Sequence, residues 1–326
     1  MFNERSLPML ATLAVFFVLY GYGFVEYKGF RDSLVLTNLL TDNAFLIVTA
    51  VGMTFVILSG GIDLSVGSMI AFIGVLMASL ITGFGMHPIL AMVISLVVGT
   101  AFGAIMGYII AHFEIQPFIV TLAGMFLFRG LAYLINLDAV PINHPFISEL
   151  ADIYISVPGR GGLTFIAIVM LLAVAIGIIV ARRTRFGMNV YALGGDEQSA
   201  ELLGVPVKST QIRIYALSGF FSSLSGVVFA IYTGSAYPLA AVGVELDAIA
   251  AVVIGGTLLT GGVGFVFGTF LGGLIQGVIQ TLIAFDGTLN SWWTKIAVGG
   301  LLFLFIILQK VIVHWVRRYS GNRESA

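Results

Sequence analysis

Residues 57–68 read I-L-S-G-G-I-D-L-S-V-G-S, and residues 258–269 read L-L-T-G-G-V-G-F-V-F-G-T. The second segment begins 201 positions after the first, and three glycine pairs fall in register: Gly60 with Gly261, Gly61 with Gly262, Gly67 with Gly268. Leu58 and Leu259, Ser59 and Thr260, and Ser68 and Thr269 match in character. Each copy lies between long apolar runs, which points to an internally duplicated membrane protein with glycine breaks at equivalent positions. Duplicated halves with broken helices are how many transporters build a path between packed repeats.

Working outward, the composition agrees. The chain has 326 residues, of which 59% are hydrophobic and only 10% charged, with a mean hydropathy of +1.07. Soluble domains carry about 25% charged residues, so a water-soluble fold is excluded. A formal net charge of −1 supplies no basic field for nucleic acid. Without cysteine there are no disulfides, thiolate metal sites or cysteine nucleophiles. His87, His112, His144 and His314 are scattered without metal-ligand spacing, and nothing calls for a cofactor.

A hydrocarbon core of ~30 Å needs roughly 20 apolar residues per helical span. Suitable runs occupy 7–25, 41–59, 65–82, 88–112, 115–136, 163–181, 211–233, 245–259, 262–284 and 291–315. The expected fold is therefore all-α and polytopic, with about ten transmembrane helices in a single transmembrane domain over 1–326. No small-residue cleavage site follows 7–25, so that run is read as a retained helix. With the N-terminus inside, ten of the fifteen lysines and arginines fall on the cytoplasmic side: Arg5, Arg182, Arg183, Arg185, Lys208, Arg213, Lys310, Arg317, Arg318 and Arg323. That bias orients the chain with both ends in the cytoplasm.

Two loops are long. Residues 137–162 fall outside, and Pro141, Pro145 and Pro158 suggest an ordered cap. Residues 182–210 fall inside and contain G-G-D-E-Q-S-A-E-L-L-G-V-P (194–206). Asp196 can cap a helix there, Glu197 suits its positive start, Gly204 its stop, and Pro206 prevents continuation. A helix of two turns with Ala200 and Leu203 on one side is marginal in water alone. It must dock, either on its own loop or on a partner; as the largest cytoplasmic feature, it favours a partner.

Polar groups at depth are few, and each asks for a reason. Asp63 sits in the first glycine break, where it can pin freed backbone or touch a ligand; its repeat partner is Gly264. Arg129 lies within a span and reads as one half of an internal pair. Glu245 and Asp247 open the 245–259 helix from outside and border any outward vestibule. Asn43 and Thr54 on the 41–59 span suit hydrogen bonding to a hydroxyl-rich solute. The stripes Gly99-x3-Gly103-x3-Gly107 and Gly264-x3-Gly268-x3-Gly272 let helices approach closely. Trp292, Trp293 and Lys295 fit an interfacial belt. No series of ionisable residues crosses the spans, which weakens a proton-driven pump, and no G-x4-G-K-[ST] loop is present. What remains is a pore-forming body with a docking helix and no engine.

At this point the chain resembles a known family. V-G-M-T-F-V-I-L-S-G-G-I-D-L-S-V-G-S (51–68), Q-P-F-I-V-T-L-A-G-M-F-L-F-R-G-L-A (116–132), T-R-F-G-M-N-V-Y-A-L-G-G-D-E-Q-S-A-E-L-L-G-V (184–205) and V-E-L-D-A-I-A-A-V-V-I-G-G-T-L-L-T-G-G-V-G (244–264) are similar to the permeases of ribose-type sugar ABC importers. P-I-N-H-P (141–145) and F-D-G-T-L-N-S-W-W-T-K-I-A (285–297) look most like a galactofuranose importer permease that works beside a second, different permease. The resemblance implies a periplasmic sugar-binding protein, a cytoplasmic ABC ATPase, a second permease subunit and an inner-membrane location. It makes 196–204 a coupling helix, with Asp196, Glu197, Ala200, Glu201 and Gly204 meeting the ATPase, though Gln198 and Ser199 stand where the family pattern has Glu and Ala. Asn43, Thr54, Asp63 and Glu245 are the candidate path residues. The rival expectation is a stand-alone secondary transporter or channel for small polar solutes.

Overall fold

The structure is a computed structural model that describes residues 7–290 and 292–321, with the backbone alone for 7, 8 and 309–321. Apolar runs flanked by prolines and glycines become helices throughout. In chain order these are α1 (Leu7–Glu26), α2 (Ser33–Asp42), α3 (Ala44–Leu58), α4 (Val66–Thr82), α5 (Pro88–Phe113), α6 (Pro117–Ile135), α7 (Pro145–Ala151) and α8 (Phe165–Arg183). They continue with α9 (Arg185–Gly195), α10 (Glu197–Leu202), α11 (Val207–Thr233), α12 (Val244–Ile254), α13 (Val266–Asp286) and α14 (Trp292–Gly321). Among the described residues six helices are long and apolar enough to cross a membrane, or seven if α2 and α3, bent by 53°, form one broken span. Val66–Thr82 and Trp292–Leu308 are apolar but shorter.

Each of the ten apolar runs is largely helical, but two differ from the expected span. The 41–59 run starts earlier, at Ser33, and bends at Asn43. The 245–259 run gives only the 11 residues of α12, about 16 Å of helix, half the hydrocarbon thickness. Gly255 ends it and Gly256, at φ +90°, turns the chain in a way that suits only glycine.

The long helix α11 is the axis of the bundle, packed along α5, α3 and α4. The glycine stripes are the close-approach faces. A Cβ on Gly103 would stand 2.3 Å from Tyr215 O, and one on Gly107 2.8 Å from Ile212 Cα, so α5 and α11 meet backbone to backbone. On the second stripe, Gly268 faces Gly255 O at 2.0 Å and Gly272 faces Ala251 O at 2.0 Å by the same measure, which seats α13 on α12. The shared core includes Ile47, Met53 and Ile57 of α3, Met69 and Ile73 of α4, and Phe221 of α11.

One end of the bundle carries small β pairings. Val140–Pro141 pairs antiparallel with Ser235–Ala236, and Tyr154–Ser156 with Gly162–Thr164. Together with α7 they order the 137–162 segment over the ends of α4 and α11. The opposite end carries α9 and α10, the α5–α6 turn and both glycine breaks.

Candidate coupling face and translocation path

The first break, residues 59–65, leaves α3 and enters α4. Within it Asp63 accepts one backbone N–H and two hydroxyls: Oδ1 from Ser65 N (2.9 Å) and Ser65 Oγ (2.6 Å), Oδ2 from Ser218 Oγ of α11 (2.7 Å). Asp63 is only 1% exposed. A buried carboxylate needs this many donors; here it pins the break to the axial helix. Tyr215, one turn before Ser218, presses its hydroxyl to within 2.4 Å of where a Cβ on Gly61 would stand. That hydroxyl has no hydrogen-bond partner among the described residues.

Above Asp63, Gly67 faces Glu245. A Cβ on Gly67 would lie 2.2 Å from Glu245 Oε2 and 2.7 Å from Ala241 O. Glu245 therefore lies against the first turn of α4, deep in the bundle, and not at its rim. The cause is the 234–243 segment, which leaves its β pairing at the rim and folds inward. Arg129 of α6 holds it there, donating from Nη1 to Pro238 O and to Ala240 O, the latter at 2.8 Å. Arg129 thus has an internal partner, but the partner is backbone carbonyl. Gln276, midway along α13, donates to Asp247 O at 2.9 Å, which fixes α12 at the same depth. Lys295 reaches Asp247 Oδ2 at 2.6 Å, so this lysine serves an ion pair as well as the Trp292–Trp293 surface.

The other two path candidates sit in helix packing. Asn43 Nδ2 donates to Leu39 O (2.9 Å) at the α2–α3 bend. Thr54 Oγ1 donates to Ala50 O (2.7 Å) and shares a hydrogen bond with Thr269 Oγ1 of α13 at 2.8 Å. Asp63 and Glu245 flank the start of α4; Asn43, at the α2–α3 bend, and Thr54 of α3 instead face α13, at Gly277 and Thr269.

At the α10 end, local sequence chemistry sets the geometry. Asp196 caps the helix by accepting from Ser199 N at 2.7 Å, and the Ser199 hydroxyl together with that N–H holds its exposed carboxyl below the usual carboxylate value. Gly204, at φ +82°, donates to Glu201 O (2.9 Å), and Val205 N donates to Ala200 O (3.0 Å). Those bonds close the helix with a left-handed residue. Ala200 is buried at 2% exposure, whereas Leu203 is 84% exposed and Leu202 89%. Ala200 and Leu203 therefore do not share a side: the helix ends at Leu202, and Leu203 turns outward with it. Glu197 Oε1 accepts from Gln211 Nε2 at 3.2 Å, tying α10 to α11.

Between α10 and the first break lies a cavity of about 670 Å³, bordered by Gly60, Gly61, Glu114, Glu197, Glu201, Lys208 and Tyr215. Coupling candidates Glu197 and Glu201 thus share a cavity wall with the break that Asp63 pins. Tyr215, which borders this cavity, and Ser218, which holds Asp63, were passed over in the sequence; the polar residues Gln211, Tyr215, Ser218 and Ser222, three or four apart on an apolar helix, were the available signal.

Residues 35–307 match the family model described as the branched-chain amino acid transport system permease component. The chain is 56% identical over 319 residues to the inner membrane ABC transporter permease protein YjfF of Escherichia coli K12, covering 98% of this chain and 96% of that protein. It is 38% identical over 317 residues to the fructose import permease protein FruG of Bifidobacterium longum, covering 95% and 93%. With the ribose import permease protein RbsC of Bacillus subtilis it shares 40% identity over 283 residues, 86% and 85% of the two chains. No solved structure matches. With helices, breaks and the capped α10 in hand, and with the family model spanning all but the ends, the chain belongs to the family of transport-system permease components.

Proposed function

We propose that this chain is the membrane permease subunit of an ATP-binding cassette importer for a monosaccharide, with both ends in the cytoplasm. Support comes from relatives named as ribose, fructose and ABC transporter permeases. The resemblance of 141–145 and 285–297 to a galactofuranose importer permease narrows the sugar to galactofuranose. In this reading 1–326 acts as one transmembrane domain beside a second, different permease. A periplasmic binding protein delivers the sugar, and a separate ATPase hydrolyses ATP.

One observation carries the reading: Leu202 and Leu203 stand 89% and 84% exposed at the end of a six-residue helix outside the bundle. Two adjacent leucines on a helix too short to stand alone call for a partner surface. Asp196, Glu197, Ala200, Glu201 and Gly204 build that knob: a cap, a tether, a buried anchor, a cavity wall and a stop. The sugar path runs past the start of α4, where Asp63 and Glu245 lie, while Asn43 and Thr54 set the helix contacts that keep it open. Nucleotide drives the movement only by its differential affinity for one arrangement.

The experiment is copurification of the ATPase with the tagged permease. Gly204→Pro forces φ from +82° to about −65° and removes the Gly204 N–H bond to Glu201 O. We expect normal insertion into the membrane, no ATPase recovered and no uptake. Normal uptake by that variant would retire the docking reading.

A further inference from the structure

Helix α9 leads straight into α10 with Asp196 alone between them, so the two form one elbow. Its start is fixed by Thr184, which accepts from Gly187 N at 3.1 Å, and its buried face by Val190 (0% exposed) and Leu193 (4%). Its end runs into both glycine breaks together. A Cβ on Gly194 would stand 1.7 Å from Leu58 O, at the end of α3, and 2.6 Å from Gly262 N, in the second break. Those two atoms are themselves bonded: Gly262 N donates to Leu58 O at 2.8 Å. A Cβ on Gly261 would meet Gly194 O and Gly60 N, each at 2.9 Å. Tyr191 adds a fourth tie, its hydroxyl donating to Gly264 O at 2.8 Å. Nearby, the Arg182 guanidinium lies 5.1 Å over the Phe265 ring, where the second break enters α13.

Three backbones thus cross in contact, with glycine at the points of approach. Gly194 has no positive φ, so only the space demands a glycine there. The next residue, Gly195, has nothing within 4 Å. We infer that Gly194 and Tyr191 are positioning residues that carry displacement of α10 to both glycine breaks at once, so that the two repeats move as a coupled pair. A packed crossing has discrete arrangements and transmits strain with little slack. The inference rests on α10 being the seat of the ATPase.

The test uses the whole importer, with its ATPase, second permease and sugar-loaded binding protein, in proteoliposomes. D-galactose serves as the probe sugar, since its furanose ring is present at equilibrium in water. Three quantities are read: ATPase recovered with the permease, hydrolysis without binding protein, and ATP hydrolysed per sugar imported. Tyr191→Phe removes one hydroxyl and should raise ATP per sugar by roughly two- to tenfold, the loss of one hydrogen bond, with ATPase recovery unchanged. Gly194→Ala should raise it further, by more than about tenfold, because backbone must separate. Gly195→Ala should match the unaltered importer. A wild-type ratio in Tyr191→Phe overturns the inference, even where Gly194→Ala fails to accumulate. An equal rise in Gly195→Ala and Gly194→Ala overturns it too. Failure of the unaltered permease to retain its ATPase sinks the functional reading instead.

Discussion

Asp63 shows how a charge can live inside a membrane bundle. Its carboxylate accepts three hydrogen bonds from Ser65 and Ser218, and so replaces the water it has lost. An amide at that position keeps the shape but turns a donor toward hydroxyls already donating. We expect Asp63→Asn to destabilise the protein by about 1–3 kcal/mol, measured as a drop in thermal midpoint in detergent, with a larger drop for Asp63→Leu. Asp196 behaves differently because it is exposed. Its pKa is lowered by the Ser199 hydrogen bonds. A depressed carboxyl contributes stability that is fully present above its ordinary value of about 3.9 and is lost as pH falls through the lowered one. Hydrogen exchange of the 196–204 segment should therefore stay slow down to the ordinary carboxylate range and rise only below it. Asp196→Asn still caps, and should remove that acid step. Residue chemistry of this local kind was legible in the sequence: the cap at Asp196 and the stop at Gly204 are sequence neighbours of what they cap. Ser218 holding Asp63 was not, because 155 residues separate them.

Helices and their breaks were readable from apolar runs and glycine register, and the structure has helix–break–helix units at α3–α4 and α12–α13. Depth was not readable. The 245–259 run is apolar enough to suggest a span, yet α12 starts inside the bundle because Arg129 and Gln276 hold it there. No periodicity encodes such long-range anchors. The bend before α3 and the helix α9 escaped for the same reason: both are settled by what they pack on. Close packing at this scale makes a sharp comparison possible. Gly103→Ala would place a Cβ 2.3 Å from Tyr215 O, whereas Gly130→Ala meets nothing within 4 Å. The first should lower stability by about 1–3 kcal/mol through overpacking. The second should be neutral or slightly stabilising, since alanine is the better helix former. Thermal unfolding of both purified variants in one detergent checks the difference.

At the scale of the whole molecule, the functional account is of two broken repeats that meet at one end and a short capped knob that protrudes there. The polar contacts hold the fold: buried Asp63 pins the first break, half-buried Arg129 grips carbonyls, and Asp247 pairs with Lys295 nearer the surface. On the function proposed above, such a body offers the route and a separate ATPase supplies the work. Reconstitution tests this most directly. Proteoliposomes containing the two permeases, with and without the ATPase, receive sugar-loaded binding protein on one side and ATP on the other, and sugar accumulation is followed over time. The account predicts accumulation against the gradient only where the ATPase and ATP are both present. Uphill accumulation by the permease without any ATPase would contradict it.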